Sequence, residues 1–218
     1  MVRSGVKFGM NRQEIKAKAK EFAFKNKWNI WKPYLVIFAI SFVFGLILGI
    51  FEIDTENGIG SLLAYAFEIA LIPASIGYIY YIMELINGKV LDVKEALLSK
   101  YKLFGLILVT SIMVSLFTTL WTLLLIIPGI IYAFKVAMVN YILADSADEN
   151  TKWKDVINTS KEMMNGYKMD YFVFGLSFIG WELLCIVTLG IAIIWVYPYM
   201  QVANVMYYQE LKKIKNIK

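Results

Sequence analysis

Histidine is missing from the 218 residues of this chain. Its absence removes HExxH zinc sites, Ser-His and Cys-His nucleophile pairs, and imidazole as a general acid or base. Cysteine occurs once, at Cys185, which excludes an internal disulfide and says nothing of redox compartment. Charge is scarce as well: 18% of residues are charged against 59% apolar and 16% aromatic, a balance far from that of a soluble domain. No P-loop, dinucleotide fingerprint or enzyme-like carboxylate pair is present. Gly175-Leu176-Ser177 begins a serine-nucleophile pattern, yet no glycine completes GxSxG and no histidine could activate the serine. Small residues at a helix contact are the simpler reading there. The sequence therefore predicts no catalytic residue, no metal site and no cofactor.

Long apolar runs are what the sequence does have. They form four blocks, at 33–51, 59–83, 103–143 and 171–208. About 20 apolar residues cross a bilayer core as a helix, so the first two blocks fit one span each and the last two fit two apiece. Expected spans lie near 33–51, 60–86, 103–122, 128–144, 171–187 and 190–208. The fold class expected is all-α: a polytopic membrane bundle of six transmembrane helices in three hairpins, with cytoplasmic in-plane amphipathic helices. Residues 33–211 form its single membrane domain. The segment 11–32 precedes it as an amphipathic helix, 212–218 follow as a basic tail, and 1–10 read as an extension, with Met10 as a natural start.

Orientation follows from the lysines and arginines. All but one of the 22 lie before the first span, in 89–102, in 152–168 or in 212–218, whereas the segment between the first two spans carries Glu52, Asp54 and Glu56 and no basic residue. Six spans put every basic segment on one side and the acidic loop on the other, which predicts cytoplasmic N- and C-termini. Five spans would break that agreement. The net charge of +5 therefore points to anionic lipid headgroups rather than nucleic acid. Arg12, Lys16, Lys20, Lys27 and Lys32 are the expected membrane-surface residues. The first apolar run follows a long basic segment without a small-residue cleavage pattern, so it is expected to be retained.

Between the spans the chain keeps a helical period. Asn11 with Glu14 resembles a capping box and opens a helix with Ile15, Ala19, Phe22 and Ala23 on one side. Such a helix suits the headgroup plane, with Trp28 and Trp31 as anchors. Val90, Val93 and Leu97 repeat the spacing, and Thr151 is a candidate N-cap for a third helix that carries Trp153, Val156, Ile157 and Met164 and stops at Asn165-Gly166. These pieces suggest one unit used three times: an amphipathic helix, a span out, a turn and a span back. Each return span carries a helix disruptor, Pro73, Pro128-Gly129 or Gly190 with Pro198, and these are candidate hinges.

Several motifs carry a family resemblance. They are Leu124-Ile-Ile-Pro-Gly-Ile-Ile131, Tyr141-Ile-Leu-Ala-Asp145, Ser160 with Met163-Met164 and Gly166, Leu176-Ser-Phe-Ile-Gly-Trp181, Leu189-Gly190 and Pro198-Tyr199. In combination, and with the basic opening from Asn11, they resemble the integral membrane family called domain of unknown function 975, over about 10–211. The resemblance implies a multi-pass protein of the bacterial plasma membrane, mainly in Gram-positive species. It implies no activity and transfers no site residue.

Three charges fall inside expected spans: Glu68, Lys135 and Glu182. Helical rise puts Glu68 about 12 Å and Lys135 about 9 Å below the outer surface, and Glu182 about 16 Å from the cytoplasmic end of its span, so the three could share one layer. Such groups usually face a partner or water. Either they line a pocket or ion pathway, or they form a structural Lys-Glu pair with one protonated carboxylate. Gly45 and Gly49 form a GxxxG that allows close packing, within the bundle or in a homo-oligomer. Two functions remain: a non-enzymatic accessory protein that engages membrane lipids, a membrane-active peptide of the bacteriocin-immunity type or a membrane-protein partner, and a carrier or channel built on the three charges.

Overall fold

A computed structural model describes residues 11–51, 53 and 58–217. Residues 1–10 and the acidic Glu52, Asp54 and Glu56, between the first two expected spans, lie outside the described residues. The described chain is helical, with no strand. Its helices are α1 (Arg12–Lys25), α2 (Lys27–Ile50), α3 (Ile59–Ile86), α4 (Val93–Leu98), α5 (Phe104–Leu124), α6 (Ile126–Lys135), α7 (Val139–Asp145), α8 (Trp153–Met163), α9 (Lys168–Leu176), α10 (Ile179–Val187) and α11 (Ile193–Ile214).

Five stretches are long and apolar enough to cross a bilayer: Lys27–Ile50, Ile59–Ile86, Val93–Leu124, Ile126–Asp145 and Lys168–Val187. The last expected span, α11, is not among them. Gln201, Asn204, Gln209 and Glu210 lower its hydropathy. These residues are tolerated because α11 packs inside the protein, with Val202, Ala203, Val205, Tyr207, Tyr208 and Leu211 buried and α1, α2, α3 and α10 packed around it.

Helix starts and breaks follow local chemistry. Asn11 caps α1: its Oδ1 accepts the Glu14 N–H at 3.1 Å while its Nδ2 donates to Glu14 Oε2 at 3.2 Å. Asp92 caps α4 through the Glu95 N–H. Thr151 is not the cap of α8, which begins after Lys152 without a side-chain cap. Its hydroxyl instead accepts the Asp148 N–H and donates to Asp148 Oδ1, closing the preceding loop. Pro73 and Pro198 lie inside unbroken helices, whereas Pro128 and Gly129 sit in the first turn of α6, just past a break at Leu125. Further interruptions fall at 136–138 and 177–178, where no proline occurs.

Three helices outside the long apolar hairpins, α4, α8 and α1, each cover one of them. α4 packs on α3, α8 packs on α5 and α7, and α1 packs along α11. Thus α4 and α8 cover the hairpins that precede them, and α1 covers the last one, closing a ring. A small, fully buried residue sits at the centre of each covering helix: Ala19, Ala96 and Ser160. The α1 stripe of Ile15, Ala19 and Ala23, which suits lipid by its period, is instead buried against protein. Bare apolar side chains crowd α2, the first half of α3, α5, the Leu123–Ile127 tip, and α9 through the start of α11.

Candidate functional site

The three charges within apolar segments do not pair. Glu68 is exposed on α3, Glu182 is exposed on α10, and Lys135 is half-buried at the end of α6. Ion pairs among the described residues join Arg12 to Asp170, Lys18 to Glu14, Lys89 to Glu84, Lys212 to Asp145 and Lys213 to Glu210, and none includes Glu68, Lys135 or Glu182. What Lys135 supplies is its backbone carbonyl, which accepts the Ser160 hydroxyl at 2.9 Å while Ser160 Oγ accepts the Met138 N–H at 3.2 Å. One serine of α8 thereby bridges the break between α6 and α7. The hydrogen bond and charge of Glu84 hold the Lys89 ammonium above its usual range.

The basic residues of α1 and α2 divide into two groups. Arg12 reaches Asp170 at 3.3 Å, and Lys16 donates to the Ser177 carbonyl at 3.0 Å and to its hydroxyl at 2.9 Å while lying 4.7 Å from the centre of the Phe178 ring. Lys20 lies over Trp181 at 5.7 Å. Lys27 lies over Trp28 and Lys32 donates to Asn29 Oδ1, each within α2. The break at 177–178 frees helix carbonyls, and Lys16 meets one of them as a cation at a helix C-terminus does. Burial there pushes the Lys16 ammonium below its ordinary range. Sequence period alone could not find this role, because a contact between residues 161 positions apart leaves no local signal.

A second polar network stands where α7, α9 and α11 begin or end. Tyr207 donates to Asp170 Oδ2 at 3.0 Å, and Tyr208 donates to Asp145 Oδ2 at 2.9 Å. Each carboxylate is matched by a cation, Arg12 for Asp170 and Lys212 for Asp145. Tyr78, Tyr81, Tyr199, Tyr207 and Tyr208 are buried. Tyr207 and Tyr208 pack their rings in the core while their hydroxyls reach a carboxylate. Tyr78, in a cluster with Tyr34 and Tyr197, and Tyr132 each bury a hydroxyl without a partner among the described residues. Thr118 and Thr122 do what small hydroxyls in apolar helices do, donating to the carbonyls of Val114 and Thr118. Gly45 and Gly49 face outward, with nothing within 4 Å of an added Cβ.

Open polar clefts lie beside the basic segments. One of about 560 Å³ is lined by Asn87, Asp145, Gln209, Lys212, Lys213 and Asn216. Another of about 420 Å³ lies among Lys100, Lys102, Asp148, Glu149 and Asn150. No group of three or more potential metal ligands occurs among the described residues.

Five apolar helical stretches with bare outer faces fit a multi-pass membrane protein. Residues 122–215, from the second hairpin to the end of α11, match the family model described as protein of unknown function DUF975, the family that the sequence motifs resemble. No curated protein and no solved structure matches the chain.

Proposed function

We propose that this is a non-enzymatic protein of the bacterial plasma membrane that works by docking. Six membrane segments, paired as three hairpins, enter from one basic face that carries both termini in the cytoplasm, and that face engages anionic lipid headgroups and a membrane-active peptide or membrane-protein partner. The observation that carries this reading is the arrangement of charge. Lysines gather on α1, at the end of α11 and in the segments flanking α4 and α8 (Lys89, Lys100, Lys102, Lys152 and Lys168), with open clefts beside Lys100 and Lys102 and beside Lys212 and Lys213, whereas Glu68, Lys135 and Glu182 form no pair that could relay an ion. The outward-facing Gly45 and Gly49 support a homo-oligomer rather than a contact within the bundle.

Reconstitution into liposomes tests docking against the carrier alternative. Quenching of tryptophan fluorescence by brominated phosphatidylglycerol should exceed that by brominated phosphatidylcholine, and replacing Lys27 and Lys32 with Gln should reduce the difference at least twofold. Proton and potassium flux should equal that of empty liposomes. Flux above that level, abolished by Glu68→Gln or Glu182→Gln in a folded protein, would establish a carrier instead.

A further inference from the structure

The turn between α10 and α11 is closed in a way that water does not require. Its side chains are apolar and bare: Leu189 is 94% exposed, and Ile186, Val187 and Ile191 project similarly. Its backbone donors nevertheless all have internal acceptors. The N–H of Thr188 meets Leu184 O, Leu189 meets Ile186 O, Gly190 meets Cys185 O at 2.8 Å, and Ile191 meets Thr188 O. Ile193, Ile194 and Trp195 continue the series onto Gly190, Ile191 and Ala192. The one donor that finds no backbone carbonyl, Ala192 N–H, is taken by Thr188 Oγ1 at 3.1 Å. Positive φ at Leu189 (50°) and Gly190 (90°) allows the chain to fold back so tightly.

In water, solvent would satisfy these donors; in hydrocarbon only the protein can.

Depth gives an independent measure. α1 carries its charges along this hairpin, with Lys16 against Ser177 and Phe178 and Lys20 over Trp181, and Lys27, the first residue of α2, lines a hollow with Ile194, Trp195 and Pro198. These charges need water or headgroups. From Trp181 to Leu189 the helix can advance about 12 Å, and a lysine stem adds about one helical turn of reach, against a hydrocarbon core of about 30 Å.

We propose that α10 and α11 form a re-entrant wedge whose turn, Thr188 to Ala192, ends among lipid acyl chains and does not reach water on the far side. Lipid is the occupant of its apolar surface. Glu182, one residue beyond Trp181, then lies at headgroup depth and avoids the cost of a carboxylate in hydrocarbon. This inference rests on the reading that the chain enters a bilayer from its basic face.

Spin labels test it in the full chain, reconstituted into phosphatidylethanolamine–phosphatidylglycerol liposomes with a nickel chelate on both sides. In a Cys185→Ser background, Leu189→Cys and, separately, Ile191→Cys are labelled with a nitroxide, and Glu56→Cys serves as the aqueous reference. Collisions with oxygen should exceed those with the nickel chelate at 189 and 191 by at least fivefold, and the order should reverse at 56. Nickel access at 189 and 191 equal to that at 56 would put the turn in water and overturn the wedge. Low access to both oxygen and nickel would mean that protein, not lipid, covers the turn, and would overturn it equally. Failure of the protein to stay with the liposomes in alkaline carbonate is a separate result, which would strike the membrane reading itself.

Discussion

Gly77 shows how much one side chain decides in this protein. An added Cβ at that position would come within 2.6 Å of Ala96 O and 2.8 Å of Leu97 O, both backbone atoms that cannot swing aside. α3 and α4 therefore touch main chain to main chain, and only glycine permits it. Gly77→Ala should destabilise the protein by about 1–3 kcal/mol, the usual cost of overpacking. Thermal unfolding in detergent checks this, with Gly45→Ala as the companion variant, since Gly45 has nothing within 4 Å and should leave the midpoint unchanged. Where α8 meets the second hairpin, Ser160 secures the contact by hydrogen bonds rather than by absence of bulk. The two solutions share a purpose: each lets a polar helix sit close against a hairpin.

At the scale of elements, the turn after α10 depends on one hydroxyl. Thr188 Oγ1 donates to Leu184 O at 2.7 Å and accepts the Ala192 N–H at 3.1 Å. Thr188→Val keeps the shape and removes both bonds, leaving a donor unmatched. In a nanodisc this should cost about 1–3 kcal/mol, the penalty for an unsatisfied buried group. Thr188→Ser should restore most of it. A turn bathed in water would show almost no difference among the three, and the unfolding midpoint in nanodiscs distinguishes the cases.

Much of this level was legible in the sequence. Helix existence, the Asn11 cap and the placement of α2, α3 and α5 followed from period and apolar length, because lipid imposes a strong and local pattern. The breaks at 136–138 and 177–178 were not legible. They are stabilised from a distance, by Ser160 and by Lys16, so their own residues look like continuous helix. Pro73 misled in the opposite sense. Its missing N–H is absorbed in an unbroken helix, where Tyr101 donates its hydroxyl to the nearby Ala70 carbonyl at 2.9 Å. The charges Glu68, Lys135 and Glu182 were visible as unusual, but their mutual distance was not, because depth along separate helices says nothing of azimuth around the bundle.

For the whole molecule, the order of packing matters more than the order of sequence. Each of α1, α4 and α8 covers a hairpin other than the one it leads into, so α1 closes a ring that begins with α4 on the first hairpin. The ring gathers the lysine-bearing helices around the returning helices α3, α7 and α11 and leaves apolar hairpins projecting without protein partners. This division of surface is the physical basis for the proposed entry from one basic face.

Cysteine accessibility in intact cells tests that claim most directly. In a Cys185→Ser background, Glu56→Cys, Lys89→Cys, Lys152→Cys and Lys213→Cys are exposed in turn to a membrane-impermeant maleimide. Position 56 should react in intact cells, and positions 89, 152 and 213 should react only after the membrane is opened. Reaction at any of the three basic positions in intact cells, or protection of position 56, would contradict entry of all three hairpins from a single cytoplasmic face.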